Sequence, residues 1–107
     1  MSLDISLVKV QETEVFEANI TQNLGGMAHE AKLYQCLWRP EELGIEYAKE
    51  LITPLSLGLM VLKNDPEKFK KFNPDNGWGT YDILIAVIER YLKACKEDPD
   101  AKVYTSR

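Results

Sequence analysis

His29 is the only histidine in the 107-residue chain, so any chemistry that needs an imidazole must use it. Asp75 and Asp82 are carboxylates that such a base could pair with in a small hydrolase or transferase. Glu30 directly follows His29 and therefore points to a different face of any helix that contains both. No serine or cysteine lies at a spacing that indicates a nucleophile and its base. The sequence thus predicts no catalytic residue, and a small enzyme built on His29 is the alternative hypothesis.

The segment of residues 72–81 has a composition that folding alone does not fully explain. It carries amide and carboxylate side chains and places Trp78 between two glycines, directly before a predicted helix. Aligning Gly77 with the invariant glycine of a calcium-binding EF-hand puts Phe72 and Pro74 at ligand positions, which excludes that motif. Two interpretations remain: a turn in which Trp78 fills the core, or a recognition surface. The candidate binding residues of this segment are Trp78, Asn76, Asp75, Asn73 and Tyr81.

Two further segments combine polar and aromatic side chains at predicted junctions. Residues 19–24 place amides and a hydroxyl where a strand meets a helix N-terminus, whose unpaired N–H groups can bind anions or can simply be capped. Residues 37–42 join a tryptophan, an arginine and two adjacent glutamates, a combination enriched in protein interfaces and also common where an aromatic ring seals a core. The candidate binding residues of these two segments are Asn19, Asn23, Trp38 and Arg39.

Composition limits the classes of function. Apolar residues make up 45% of the chain and charged residues 28%, which is typical of a globular protein, and the net charge of −4 argues against nucleic-acid binding. The apolar runs are too short for a membrane span, and the first residues carry no export signal, so we expect a cytoplasmic protein. Cys36 and Cys95 lack the paired spacing of a zinc site and are predicted core residues. We expect no metal and no cofactor.

The elements that must position these residues follow from the hydrophobic pattern. Residues 5–10 and 15–20 predict a β-hairpin, and residues 101–105 predict a terminal edge strand that joins it. Between them, helical spacing predicts short helices over residues 22–31, 33–38 and 66–72, a helix from residue 46 to about residue 63, and a long helix over residues 81–97. Thr21, Asp65 and Thr80 are predicted helix caps. Pro54 is expected to interrupt the helix that reaches residue 63, and a Thr53 cap on a second segment beginning at Pro54 would give either a kinked helix or two abutting helices. The sequence therefore predicts a single α+β domain over residues 1–107, with a small antiparallel sheet packed against about four helices.

Three sequence blocks together resemble a group of small bacterial and phage-encoded proteins. The blocks are Asn-x-Thr-x-Asn-Leu at residues 19–24, Leu-Trp-Arg-Pro-Glu-Glu at residues 37–42, and Phe-Asn-Pro-x-Asn-Gly-Trp-Gly-Thr-Tyr at residues 72–81. The resemblance spans most of the chain and implies a phage or prophage context. It carries over no catalytic or binding residue, because no activity is assigned to the group.

The leading hypothesis from the sequence is a non-enzymatic binding or accessory module. Its functional face would join the segment of residues 73–81 to Trp38 and Arg39 and to the junction of residues 19–23, and it would take a protein partner or a small molecule. A third hypothesis is a structural subunit in which the terminal strand or the region of Trp38 forms a homo-oligomer interface.

Overall fold

A computed structural model of the chain describes residues 2–9, 13–75, 77 and 79–107. The sheet has three antiparallel strands in the order β2-β1-β3, where β1 is Ser2–Lys9, β2 is Thr13–Thr21 and β3 is Lys102–Ser106. The hairpin and the terminal strand beside it are confirmed. The end of the expected first strand at residue 10, and residues 11 and 12 of the expected connection over residues 11–14, lie outside the described residues.

The helices confirm the α+β class and cover one face of this sheet. The inward side chains of β1 are Leu3, Ile5 and Leu7, which are fully buried and face the helices, as the period of two along a strand requires. The five α-helices are α1 (Gly25–Glu30), α2 (Tyr34–Trp38), α3 (Ile52–Asn64), α4 (Pro66–Lys70) and α5 (Tyr81–Glu97). Short 3-10 turns occupy Gln22–Leu24, Pro40–Leu43 and Ala48–Leu51.

Three predicted caps are present. The Thr21 hydroxyl accepts the Asn23 N–H at 3.4 Å. The caps of α4 and α5 are Asp65 and Thr80, whose side chains each accept the N–H of the third residue after them at 3.3 Å. Each cap satisfies a donor that has no partner within its own helix.

The predicted Thr53 cap is wrong. The α-helix α3 begins at Ile52, directly after a 3-10 turn, so Thr53 and Pro54 lie inside its first turn. Proline is tolerated there because the first N–H groups of a helix need no intrahelical acceptor. The start of the helix is therefore set by the preceding turn rather than by the proline.

One hydrophobic core joins the sheet to the helices. The long helix α5 contributes seven buried residues, and the largest fully buried side chains include Trp38, Tyr91 and Phe69. The turn before α2 approaches α3 closely at Gly58, where an added Cβ would overlap the Leu33 side chain and lie 2.9 Å from Leu33 Cδ1. Within the described residues, no helix is long and apolar enough to cross a membrane.

Candidate functional site

The turn between α1 and α2 is built by a helix-ending motif with an unusual residue. The Leu33 N–H donates to the Ala28 carbonyl at 2.8 Å, and the Lys32 N–H donates to the His29 carbonyl at 3.0 Å. These two bonds define a Schellman motif, in which the residue after the helix adopts a left-handed conformation and is usually glycine. Here that residue is Lys32, with φ of 62°. A lysine in this conformation carries a conformational cost that glycine would not.

An aromatic row runs from the end of α1 along α2. The Tyr34 ring stacks on the Trp38 ring with centroids 5.3 Å apart and planes 6° from parallel, and the His29 ring lies 5.8 Å from Tyr34 at a tilt of 42°. Tyr34 and Trp38 are one helical turn apart, so their side chains share a face of α2. Trp38 is buried and Tyr34 is half-buried, which leaves part of the tyrosine ring available to solvent beside the histidine.

An open cleft of about 530 Å³ lies against this row. A volume of this size is in the range of ligand-binding clefts. Positive groups outnumber negative ones in its lining, although the whole chain carries a net charge of −4. The lining residues are His29, Lys32, Tyr34, Gln35, Arg39 and Glu42.

Arg39 is held at the edge of the cleft by two neighbours. Its guanidinium Nη1 lies 3.4 Å from Glu42 Oε2, and both side chains are substantially exposed. A hydrogen bond with the Tyr34 side chain is the main cause that raises the pKa of Arg39, with a smaller contribution from Glu42. The observed contact that holds the guanidinium at the edge of the cleft is therefore the one with Glu42. An exposed ion pair of this kind contributes little to stability.

In the described part of the segment of residues 73–81, an asparagine side chain bonds the backbone and two glycines allow a left-handed backbone conformation. Asn73 Oδ1 accepts the Tyr81 N–H at 2.8 Å, which adds a second acceptor to the start of α5. Gly77 and Gly79 have φ of 74° and 87°, which glycine adopts without strain. Asp75 is exposed. Trp78 and Asn76, the other candidate residues of this segment, lie outside the described residues.

Tyr81, a candidate binding residue from the sequence, has a structural role in the fold. It is only 7% exposed, and its hydroxyl donates to the Leu62 carbonyl at 2.6 Å. The usual intrahelical donor to that carbonyl would be the residue four positions later, which is Pro66 and has no N–H. The Tyr81 hydroxyl therefore replaces the bond that the proline cannot make.

The other candidate residues divide between the sheet, the core and the cleft. Asn19 Nδ2 donates to Ser2 Oγ at 2.8 Å and to Asp4 Oδ1 at 2.6 Å, so its amide ties β2 to β1. Asn23 is exposed, and its backbone N–H donates to the Thr21 hydroxyl. Trp38 is 2% exposed, which places the indole in the core beneath Tyr34. Of the four, only Arg39 lines the cleft.

Two of the three segments of the expected face meet within the described residues. The segment of residues 73–81 does reach the β2 junction, because a Cβ added to Gly79 would lie 2.5 Å from Thr21 Cγ2. Arg39 instead opens onto a cleft whose other lining residues come from α1, α2 and the turns beside them. Four residues that line the cleft were not predicted from the sequence: Lys32, Tyr34, Gln35 and Glu42. The spacing of Tyr34, Trp38 and Arg39 could have indicated part of the cleft, whereas the left-handed Lys32 has no signature in its residue type.

A cleft of about 570 Å³ near the end of α5 has a different character. It is lined by three carboxylates, Glu97, Asp98 and Asp100, and its lysine, Lys9, is already paired with Asp98 at 3.2 Å. We therefore place the candidate site at the cleft beside Tyr34.

Thiol and metal chemistry find no support among the described residues. Burial raises the pKa of both Cys36 and Cys95 to about 12, so each thiol stays protonated and unreactive at neutral pH. Both cysteines are free and buried, as expected from the sequence. Within the described ranges, no three histidine, cysteine, aspartate or glutamate side chains group as metal ligands would.

Comparison with known proteins identified no similar protein. No protein-family model matches the chain, and neither the curated proteins nor the solved structures contain a match.

Proposed function

We propose that this protein is a small non-enzymatic binding module, and that the cleft beside Tyr34 takes a small anion carrying a planar group. The observation that supports this most directly is the presence of Lys32 and Arg39 in one open cleft with a half-exposed aromatic ring. On a chain with net charge −4, a local excess of positive charge favours an anionic ligand at this position.

The chemistry of each lining group suits a carboxylate or phosphate ligand. The guanidinium of Arg39 offers a planar pair of donors that matches either group, and the ammonium of Lys32 is a compact charge on a flexible stem. Gln35 supplies a neutral amide, and His29 supplies a ring nitrogen that can donate. Tyr34 is held flat against Trp38, so a planar ligand group would meet a rigid ring.

The expected affinity is modest because the cleft is open to solvent. Charge contacts in water at about 4 Å are weak, and stacking on one partly exposed ring adds little. We expect dissociation constants on the order of 1 mM for a small aromatic carboxylate. A larger natural ligand would gain affinity from contacts beyond the cleft.

The test is a titration of ¹⁵N-labelled protein with benzoate and with benzamide, its neutral isostere, followed by NMR. Benzoate should shift the amide signals of residues 29–42 in a saturable way, and benzamide should bind at least fivefold more weakly. Lys32→Asn, which keeps a side chain that tolerates the left-handed conformation, should weaken benzoate binding about fivefold. Lys93→Gln removes an exposed lysine outside the cleft and should change nothing.

Replacing Glu42 should change the affinity for benzoate in the opposite direction from replacing Lys32. Its carboxylate is 3.4 Å from Arg39 and would compete with an incoming anion. Glu42→Gln should therefore tighten benzoate binding about three- to fivefold, because it removes a negative charge while keeping the shape of the side chain. Equal binding of benzoate and benzamide, or tighter binding without Lys32, would refute the anion site.

A second candidate function is a small enzyme, since His29 and Glu42 line the same cleft. The carboxylates predicted from the sequence, Asp75 and Asp82, are exposed elsewhere and do not line it. Histidine and glutamate side chains can each act as a general acid or base, so the cleft contains two groups suited to proton transfer. Turnover of an ester or phosphoester substrate that is lost in both His29→Gln and Glu42→Gln would favour the enzyme over the binding module.

The proposal also includes the setting. We place the protein in the cytoplasm of a bacterium, in the phage or prophage context that the sequence blocks imply. Two free buried thiols support a reducing compartment, where such cysteines persist without pairing.

A further inference from the structure

The outer face of α3 is apolar where a surface helix is normally polar. Leu57, Met60 and Val61 are 57%, 60% and 43% exposed, and their spacing of three and four residues places them side by side on one face. The opposite face of α3 is packed into the core through Leu55, Gly58 and Leu62. A helix that is apolar on both faces is normally covered on both.

This apolar stripe is also free of charge. Lys63 is the single charged residue of α3, and its ammonium is paired with Glu89 Oε2 at 3.1 Å. By helical geometry the residues that extend the stripe at its two ends are Thr53 and Asn64, both neutral and exposed. The stripe therefore runs nearly the whole length of the helix without an unpaired charge.

We propose that this stripe, defined by Leu57, Met60 and Val61, is the contact surface of a homodimer in which α3 packs against α3 of a second copy. A two-fold contact brings the same surface of both copies together, so any charge near the axis would meet its own like. The chain carries a net charge of −4, and the stripe is a surface where two copies can meet without that repulsion. A partner chosen by charge would find nothing on the stripe to recognise.

The size of the stripe indicates a weak dimer. The exposed parts of its three side chains offer on the order of 300 Å² of apolar surface on each copy, which is the scale at which such patches are often functional. Stable interfaces bury about 800 Å² on each partner. Because the stripe is smaller than a stable interface requires, we expect a dissociation constant on the order of 100 μM.

Sedimentation velocity of the full chain between 10 μM and 1 mM tests the dimer. The wild type should shift reversibly from monomer to dimer over this range, and Met60→Glu should weaken the association at least tenfold, because two new carboxylates would meet at the axis. Leu43→Glu is the matched control: Leu43 is 48% exposed but belongs to the turn Pro40–Leu43 rather than to α3, and its change should leave the association unaltered.

Cysteine cross-linking locates the contact independently. Cys36 and Cys95 are buried, so Met60→Cys introduces the only exposed thiol among the described residues. Mild oxidation should convert this variant to a disulfide-linked dimer, and Leu43→Cys should remain largely monomeric. A wild type that is monomeric at 1 mM, or an equal response of the two positions in either experiment, would overturn the proposal.

Discussion

Gly58 and Gly26 are both helical glycines, and we expect their replacement by alanine to change stability in opposite directions. Gly58 is buried on α3, and a Cβ there would overlap the Leu33 side chain. Gly26 lies in α1, and a Cβ there would meet Phe72 Cδ1 at 3.9 Å, an ordinary contact. The added methyl group therefore meets an occupied space at Gly58 and an open one at Gly26.

The magnitudes follow from two opposing terms. Alanine gains about 1 kcal/mol over glycine within a helix, which applies to both positions. At Gly58 the added methyl must displace Leu33, which is fully buried and packed on all sides, and overpacking of this kind costs about 3 kcal/mol. Gly58→Ala should therefore destabilise the protein by about 2 kcal/mol, and Gly26→Ala should stabilise it by about 0.5–1 kcal/mol.

Thermal and urea unfolding followed by circular dichroism measure both variants. For a chain of this size we expect Tm to fall by roughly 10 °C for Gly58→Ala and to rise by roughly 4 °C for Gly26→Ala. A double-mutant cycle identifies the contact: Leu33→Ala alone should cost about 2–5 kcal/mol, and much less when Gly58→Ala supplies the missing volume. Additive effects in this cycle, or a shift of both glycine variants in the same direction, would refute the argument.

Three other predictions concern buried hydroxyls, buried thiols and the strained turn. Tyr91→Phe should stabilise the protein by about 1 kcal/mol in urea unfolding, because the Tyr91 hydroxyl is buried with no partner among the described residues, whereas Tyr81→Phe should destabilise it by about 1 kcal/mol by losing the bond to Leu62. The free energy of unfolding should fall as pH rises above about 9, by up to about 1.4 kcal/mol per pH unit for each of Cys36 and Cys95. The reason is that the thiols ionise first in the unfolded chain, because burial raises their pKa values in the folded protein to about 12. A variant with both cysteines changed to alanine should show a shallower decline, and a flat wild-type profile from pH 8 to 10.5 would contradict this prediction. Lys32→Gly should raise the free energy of unfolding by about 1 kcal/mol by removing the left-handed strain, and no gain in Tm would show that the turn is unstrained.

The sequence predicted those elements whose signals are local. The helix α5 occupies residues 81–97 as expected, because Thr80 caps its start and its apolar spacing continues without a break to the last turn. The Asp65 cap and the terminal strand were equally predictable, since each depends on a few adjacent residues. The start of α3 was not, because the turn Ala48–Leu51 that leads into it carries no proline or hydroxyl signal.

The candidate site was less predictable because its parts meet only in three dimensions. Tyrosine is a residue type that often binds ligands, which made Tyr81 a candidate. Its structural role depends on the packing of α5 beside the Leu62 carbonyl, which Pro66 leaves without a backbone donor. The cleft draws on two short helices and the turns beside them, and its position depends on a left-handed lysine where glycine is the usual residue. Arg39, which lines the cleft, was a candidate from the sequence because an arginine beside a tryptophan is a recognisable interface signal.

Substitutions of Lys32 can separate its effect on the stability of the protein from its effect on ligand binding. Glycine at this position would relieve the left-handed strain, whereas lysine retains that strain and adds a positive charge to the cleft. If the strain serves ligand binding, Lys32→Gly should be more stable than the wild type and bind benzoate about fivefold more weakly. Lys32→Asn should lose the same affinity with a smaller gain in stability, because asparagine tolerates the conformation less well than glycine. Unchanged affinity in both variants, beside the expected gain in stability, would mean that Lys32 has no part in the cleft's chemistry.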